Sequence, residues 1–330
     1  MAAYLAQRLL LAIFTTWAIS VVAFAIIQLP PVDFIDTYIS NLSAAGGGAI
    51  TPEQIQQLRS QYGVDQPKPI QYLRWMSLVV RGDFGFTLEY QRPVAEVIGD
   101  RLALTLVVSL AALAFTWVVA LPIGIYSAVR QYSIGDYLFT LVGFLGLAIP
   151  GFLLGLLVLY FGFAIFNVNL SGLFSPEYAD APWDLAKVVD LLKHLPVPAI
   201  VLGTAGMAQA IRIMRANLLD EIRKPYVVTA RAKGLSETRA ILRYPVRVAL
   251  NPFASTIGYT LPYVVSGSII VSLVLGLPTV GPLLLKALIA TDLFLAGAIV
   301  LLLGVMTVIG TFLSDLLLMW IDPRIRVESQ

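Results

Sequence analysis

Six long apolar runs, separated by polar segments of very unequal length, dominate the chain. They are 9–29, 102–129, 137–166, 195–211, 248–285 and 293–314. A helix that crosses a bilayer needs about 20 apolar residues, so each run predicts a transmembrane helix. Run 195–211 is short and continues past Arg212. Run 248–285 exceeds one crossing and predicts a span plus a re-entrant or interfacial piece. Run 9–29 is longer than the roughly 7–15 apolar residues of a signal peptide. It is therefore read as a retained span, although Ala23-Phe24-Ala25 has the residue types of a cleavage site.

The polar segments carry their own periodicity. Segment 30–101 is too long for a simple turn. Within it Thr51, Pro52 and Gln54 fit N-cap, N1 and N3 of a helix. Ile55, Leu58 and Tyr62 continue that helix as one apolar stripe, and Gly63 ends it. Ile70, Leu73, Met76 and Val80, with Trp75 and Val79 beside them, predict a second helix lying on the membrane surface. Gly82 to Phe86 predicts a turn. Segment 180–193 predicts an amphipathic helix, with Trp183, Leu185, Val188, Val189, Leu191 and Leu192 as its apolar positions.

Composition excludes a soluble protein: 58% of the 330 residues are hydrophobic and 13% charged, where soluble domains carry about 25% charged residues. The net charge of +2 offers no basis for a nucleic-acid partner, and zero cysteines exclude disulfides and thiolate sites. Lys and Arg mark the cytoplasmic side of a membrane protein. Nine of them fall from Arg212 to Asn251 against three acids, Asp220, Glu221 and Glu237. Segment 30–101 carries six basic and eight acidic residues instead. The expected organisation is six spans with both termini cytoplasmic. Residues 1–29 are the first span, 30–101 a small helical extracytoplasmic cap, and 102–330 a core interrupted by a cytoplasmic loop, 220–252.

That loop predicts two short helices. The first runs from Pro225 to Lys233, with Pro225 in its first turn and Gly234 at the C′ position, where a left-handed residue ends a helix. Ser236 caps the second, from Glu237 to Tyr244. Two ordered helices exceed what topology requires, so the loop reads as a protein-docking element rather than as solvated charge alone. Other chemistry is sparse. There is no Gly-x-x-x-x-Gly-Lys-Ser/Thr phosphate loop, so the chain is not expected to hydrolyse ATP. His194 is alone and reads as structural, and Ser266-Gly267-Ser268 has no histidine partner. Asp315, near the cytoplasmic end of the last run, is the one firm intramembrane charge, and is expected to reach water or to pair with Arg212 or Arg215.

Thr229-Ala230-Arg231-Ala232-Lys233-Gly234-Leu235 resembles the "EAA" loop of permease subunits in ABC importers. Three further stretches, 67–75, 81–85 and 92–94, resemble the dipeptide/oligopeptide/nickel branch, first-permease or "B" type, as does the ending Asp322-Pro323-Arg324-Ile325-Arg326. The resemblance implies a type I ABC importer permease fold in a bacterial or archaeal cytoplasmic (inner) membrane. It implies a second, homologous permease, two cytoplasmic ATPases that bind ATP and Mg, and an extracytoplasmic substrate-binding protein. It assigns ATPase coupling to Tyr226, Val227, Thr229, Ala230, Arg231, Ala232, Lys233, Gly234 and Leu235. Thr229 stands where the name has Glu. Ser272 and Gly276 to Pro282 stand where many relatives carry an acidic residue and a Pro-Gly pair, so peptides, oligosaccharides and metal chelates all stay open as cargo.

Small and weakly polar residues in the later spans mark the candidate path: Thr204, Gln209, Thr256, Ser266 and Ser268, with Gly143, Gly146, Gly203 and Gly206 beside them. The competing expectation is close helix packing, which uses the same residue types. Two other classes are weighed, an ion-coupled secondary transporter and a non-transporting membrane scaffold. The first is weakened by the lack of a carboxylate near the midplane.

Overall fold

The computed structural model describes residues 2–28, 51–62, 66–87, 89–253 and 269–321. Among the described residues the elements are helices apart from one two-stranded ribbon. Helix α1 is Ala2–Gln28, α2 Pro52–Tyr62 and α3 Lys68–Val79. Strands β1, Phe86–Thr87, and β2, Arg92–Pro93, pair antiparallel. Then come α4, Val94–Val129, α5, Ile134–Ala148, α6, Gly151–Phe166, α7, Leu185–His194, and α8, Pro196–Ile222. Short helices α9, Pro225–Ala232, α10, Glu237–Arg243, and α11, Pro245–Ala249, follow. Past 254–268, which lie outside the described residues, are α12, Ile269–Val274, α13, Val280–Ile289, and α14, Leu293–Ile321.

Among the described residues four helices are long and apolar enough to cross a membrane: α1, α4, α8 and α14. The expected third span, 137–166, is not one straight helix. It is the pair α5 and α6, bent by 99°. Proline explains the break. Pro150 has no N–H to continue the ladder, and Ile149 before it is extended, at φ −83° and ψ 121°, as steric clash with a following proline ring demands. Much of the expected fifth span lies outside the described residues.

Helices α4 and α8 form the centre, and glycines let them touch. A Cβ on Gly203 would lie 2.7 Å from the Ala112 carbonyl oxygen, and one on Gly124 would lie 2.7 Å from Met214 Cβ. The Thr116 hydroxyl bridges the crossing, 2.8 Å from both the Ala112 and the Gly203 carbonyl oxygens. Met214 and Leu218 are fully buried there, against Ala120, Ile241 and Val246.

Helix α1 lies along α14. Arg8 pairs with Asp315 at 3.2 Å, and a Cβ on Gly304 would meet Ile19 Cγ2 at 2.4 Å. Asp315 thus pairs with Arg8 rather than with Arg212 or Arg215. The start of α1 and the end of α14 lie side by side.

Helix α2 begins as its capping residues predict. Thr51 N–H donates to Gln54 Oε1 at 3.0 Å and Gln54 N–H to Thr51 Oγ1 at 3.4 Å. Helix α3 packs against α1 and α14. Tyr72 shares a 2.6 Å hydrogen bond with the buried Ser20 hydroxyl, and Trp75 is buried in a cluster with Ala23, Leu293 and Leu301. Helix α7 starts at Leu185, later than expected, because Asp184 accepts the Lys187 N–H at 2.7 Å as N-cap. His194 Nδ1 lies 2.9 Å from the Asp190 carbonyl oxygen. Burial pushes the Asp190 carboxyl up, but two hydrogen bonds from Ser175 and the neighbouring His194 and Lys193 outweigh it and hold the group below the usual carboxylate range.

Asp292 was not singled out by sequence. It is fully buried and accepts from the Thr87 hydroxyl at 2.5 Å, the Glu89 N–H at 3.3 Å and the Leu295 N–H at 3.2 Å. One carboxylate thereby caps α14 and holds the β-ribbon. Loss of an N-cap acceptor costs about 0.5–2 kcal/mol. Asp292→Ala is expected to speed amide hydrogen exchange at both Glu89 and Leu295, read by mass spectrometry of the detergent-solubilised protein. Protection unchanged at both would refute the shared anchor.

Candidate docking element and its connections

Helix α8 runs on from the α4 crossing and ends at Ile222. Glu221 closes the junction with α9, accepting hydrogen bonds from the Lys224 ammonium and the Tyr226 hydroxyl. Lys224 is extended, at φ −74° and ψ 149°, because Pro225 follows it, and Pro225 takes the first helical position. The end of α9 is a Schellman motif: Gly234 N–H donates to the Arg231 carbonyl at 2.9 Å, and Leu235 N–H to the Ala230 carbonyl at 3.3 Å. Gly234 has φ +84°. Ser236 has the extended N-cap backbone, but its side chain makes no cap hydrogen bond. The Arg231 guanidinium reaches across the turn to both Glu237 carboxylate oxygens, at 2.8 and 2.6 Å.

The nine residues assigned to coupling divide between two faces. Val227 and Ala230, one turn apart, are buried, like Ala240 and Ile241 on α10. Ala230 is small and packs within the chain. Leu235 is half-buried. Tyr226, Thr229, Arg231, Ala232, Lys233 and Gly234 are exposed, together with Val228, so the outer surface joins small, apolar and basic groups. Nothing lies within 4 Å of where a Gly234 Cβ would be. A cavity of about 500 Å³ opens beside this surface, lined in part by Arg130, Ser133, Arg223 and Glu237.

The path candidates are less coherent. Thr204 is half-buried, donates to the Ile200 carbonyl at 2.6 Å and turns its methyl toward α5, where a Gly146 Cβ would meet it at 2.9 Å. Gln209 is exposed. Thr256, Ser266 and Ser268 lie outside the described residues. Gly143, Gly146 and Gly203 sit at helix contacts, which is the packing alternative.

Sequence reasoning missed Asp136. It is 3% exposed, and both of its oxygens engage Arg215 of α8, Oδ1 with Nε at 3.1 Å and Oδ2 with Nη2 at 2.9 Å. It also accepts the Tyr132 N–H at 2.9 Å, while Ser133 Oγ accepts the Asp136 N–H at 3.2 Å. The available signal was Ser133-x-x-Asp136 just before an apolar run, a capping box.

Residues 120–327 match the family described as "Binding-protein-dependent transport system inner membrane component", and residues 1–111 match "Binding-prot-dependent transport system membrane comp, N-term". The chain is similar to a putative peptide permease protein of Brucella ovis, 35% identical over 98% of this chain and 99% of that one. It is similar to the oligopeptide transport system permease protein AppB of Bacillus subtilis, 33% identical over 98% and 99%. It is also similar to the dipeptide transport system permease protein DppB of Escherichia coli, 30% identical over 98% of each.

Proposed function

The chain belongs to the binding-protein-dependent transport system inner membrane component family, and we propose that it forms half of a peptide path that is opened from residues 226–235. It is a permease subunit of a binding-protein-dependent ABC importer. The exposed face of α9, ended by a left-handed glycine and lying past the end of the central helix α8, is the observation that carries the coupling assignment. Two ATPases would hold ATP and Mg, one of them receiving this face, and a second permease would complete the path. Peptides are the proposed cargo because the relatives above are named for peptide, oligopeptide and dipeptide.

Both termini are proposed to be cytoplasmic, with six spans. The side-by-side ends of α1 and α14 support this, as does the crowding of Lys and Arg into 212–251. Residues 30–101 form the outer cap and would help receive the binding protein. Reporters fused after Gly48 and inserted at Ser236 are expected on opposite sides of the membrane. Finding both on one side would end the six-span reading. Uptake of a labelled oligopeptide into vesicles should require ATP and survive an ionophore, whereas an ion-coupled carrier would show the reverse and a scaffold would show no uptake.

A further inference from the structure

The Asp136–Arg215 pair is outside residues 226–235 and joins the helix that leads to them to the bent third span. We propose that this pair fixes the register of α5 against α8 as the docking element moves, making Asp136 and Arg215 positioning residues for transport. The inference rests on the coupling role proposed for 226–235.

The contacts between the two helices form a ladder. Asp136 meets Arg215. Further along, a Gly143 Cβ would lie 3.6 Å from Ala208 Cα, and a Gly146 Cβ would lie 2.9 Å from Thr204 Cγ2. As the α5 number rises the α8 number falls, so the helices run antiparallel. The upper rungs are small apolar surfaces. They have no direction and allow sliding, each residue of slip being about 1.5 Å.

The lowest rung differs in kind. A planar guanidinium gripping both oxygens of one carboxylate has a single good geometry. Asp136 is itself held at the third position of α5 by the Tyr132 N–H and the Ser133 hydroxyl. Arg215 lies seven residues before Ile222, about 10 Å along a helix, and α9 begins three residues beyond Ile222. Buried ion pairs are weak sources of stability, and their best-attested use is to specify register. A displacement of α9 carried along α8 therefore reaches α5 without slip through this pair, and α5 is the arm that ends at the Pro150 bend.

The test uses the assembled complex with its partner permease, its ATPases and the full chain. The chain has no cysteine, so Thr140→Cys, half-buried on the α5 side of a cleft shared with Arg212 and Arg215, gives this chain a single thiol. Labelling by a charged maleimide is compared with and without ATP plus vanadate. Arg215→Met alone should lower complex abundance, because it strands a buried carboxylate. The double variant Asp136→Asn/Arg215→Met removes both charges and should restore abundance and ATP hydrolysis. Its nucleotide-dependent change in labelling should nonetheless fall at least about fivefold, the lower end of typical site-to-site coupling.

A purely structural pair would regain the wild-type labelling response along with abundance, and that result overturns the proposal. Arg215→Lys keeps the charge without the fork and gives the same reading should the double variant fail to accumulate: a wild-type response in it also counts against the pair. Cross-linking from Thr238→Cys to an ATPase separates the two levels. Loss of the cross-link only in the double variant makes the pair an assembly contact and overturns the register role. Its absence with Asp136 and Arg215 intact overturns the coupling assignment itself.

Discussion

Gly234→Val is expected to cut ATPase co-purification and transport by at least about tenfold, while Lys233→Ala leaves both within about twofold. The two residues adjoin and both are exposed, so the contrast isolates backbone from charge. Gly234 has φ +84°. An L-residue in the left-handed region costs roughly 1–2 kcal/mol, and a β-branched one is a clear outlier there. About 1.4 kcal/mol is tenfold in an equilibrium. Since nothing lies within 4 Å of the new Cβ, the valine is not crowded inside the chain. Its effect comes from turning the exit of α9, which misaligns Leu235 and α10, and from occupying space that a partner would approach. Losing one exposed charge removes about 0–1 kcal/mol. Arg231 is already engaged by Glu237, so Lys233 is the weaker lever. Wild-type co-purification and coupled ATP hydrolysis in Gly234→Val, at equal permease abundance, would remove this turn from the coupling assignment.

The exit of α9 is legible in the sequence because glycine meets a left-handed backbone without strain, and a proline nine positions earlier marks the other end. The start of α2 is legible for a similar reason, since Thr51 and Gln54 satisfy each other three residues apart. Local rules suffice in both cases. They fail at Asp136, whose ion-pair partner is 79 residues away on another helix, and at Asp315, whose partner Arg8 stands near the other end of the chain. Periodicity records which face of a helix is apolar, not which helix that face meets. The bend at Pro150 is lost for a different reason. Hydropathy stays high on both sides of it, so a continuous apolar run conceals a 99° turn. Ala230 shows the opposite hazard. A residue small enough for a partner's approach is equally small enough for the chain's own packing, and sequence alone does not separate the two; Ala230 is buried within the chain.

Glycines expected along the path turn out to differ in what they can accept, and this sets the largest expected effect on stability. Gly203→Val should reduce the amount of folded permease severely, while Gly143→Ala should leave it unchanged. A Cβ at position 203 would meet the Ala112 carbonyl oxygen at 2.7 Å, Phe115 Cδ1 at 2.7 Å and Thr116 Oγ1 at 2.9 Å. The phenyl ring can swing aside, but the carbonyl belongs to the α4 backbone and cannot. Helices α4 and α8 must part, which breaks the 2.8 Å Thr116–Gly203 hydrogen bond and loosens the packing around the crossing. Overpacking alone costs about 1–3 kcal/mol, and interhelical hydrogen bonds in membranes average about 0.6 kcal/mol. At Gly143 the nearest atoms would be 3.6 and 3.7 Å away, an ordinary contact, and alanine favours the helix by about 1 kcal/mol over glycine. Fluorescence-detected size exclusion of the two variants gives the comparison. Equal monodisperse peaks would mean that α4 and α8 do not make the close crossing on which the centre of the fold depends.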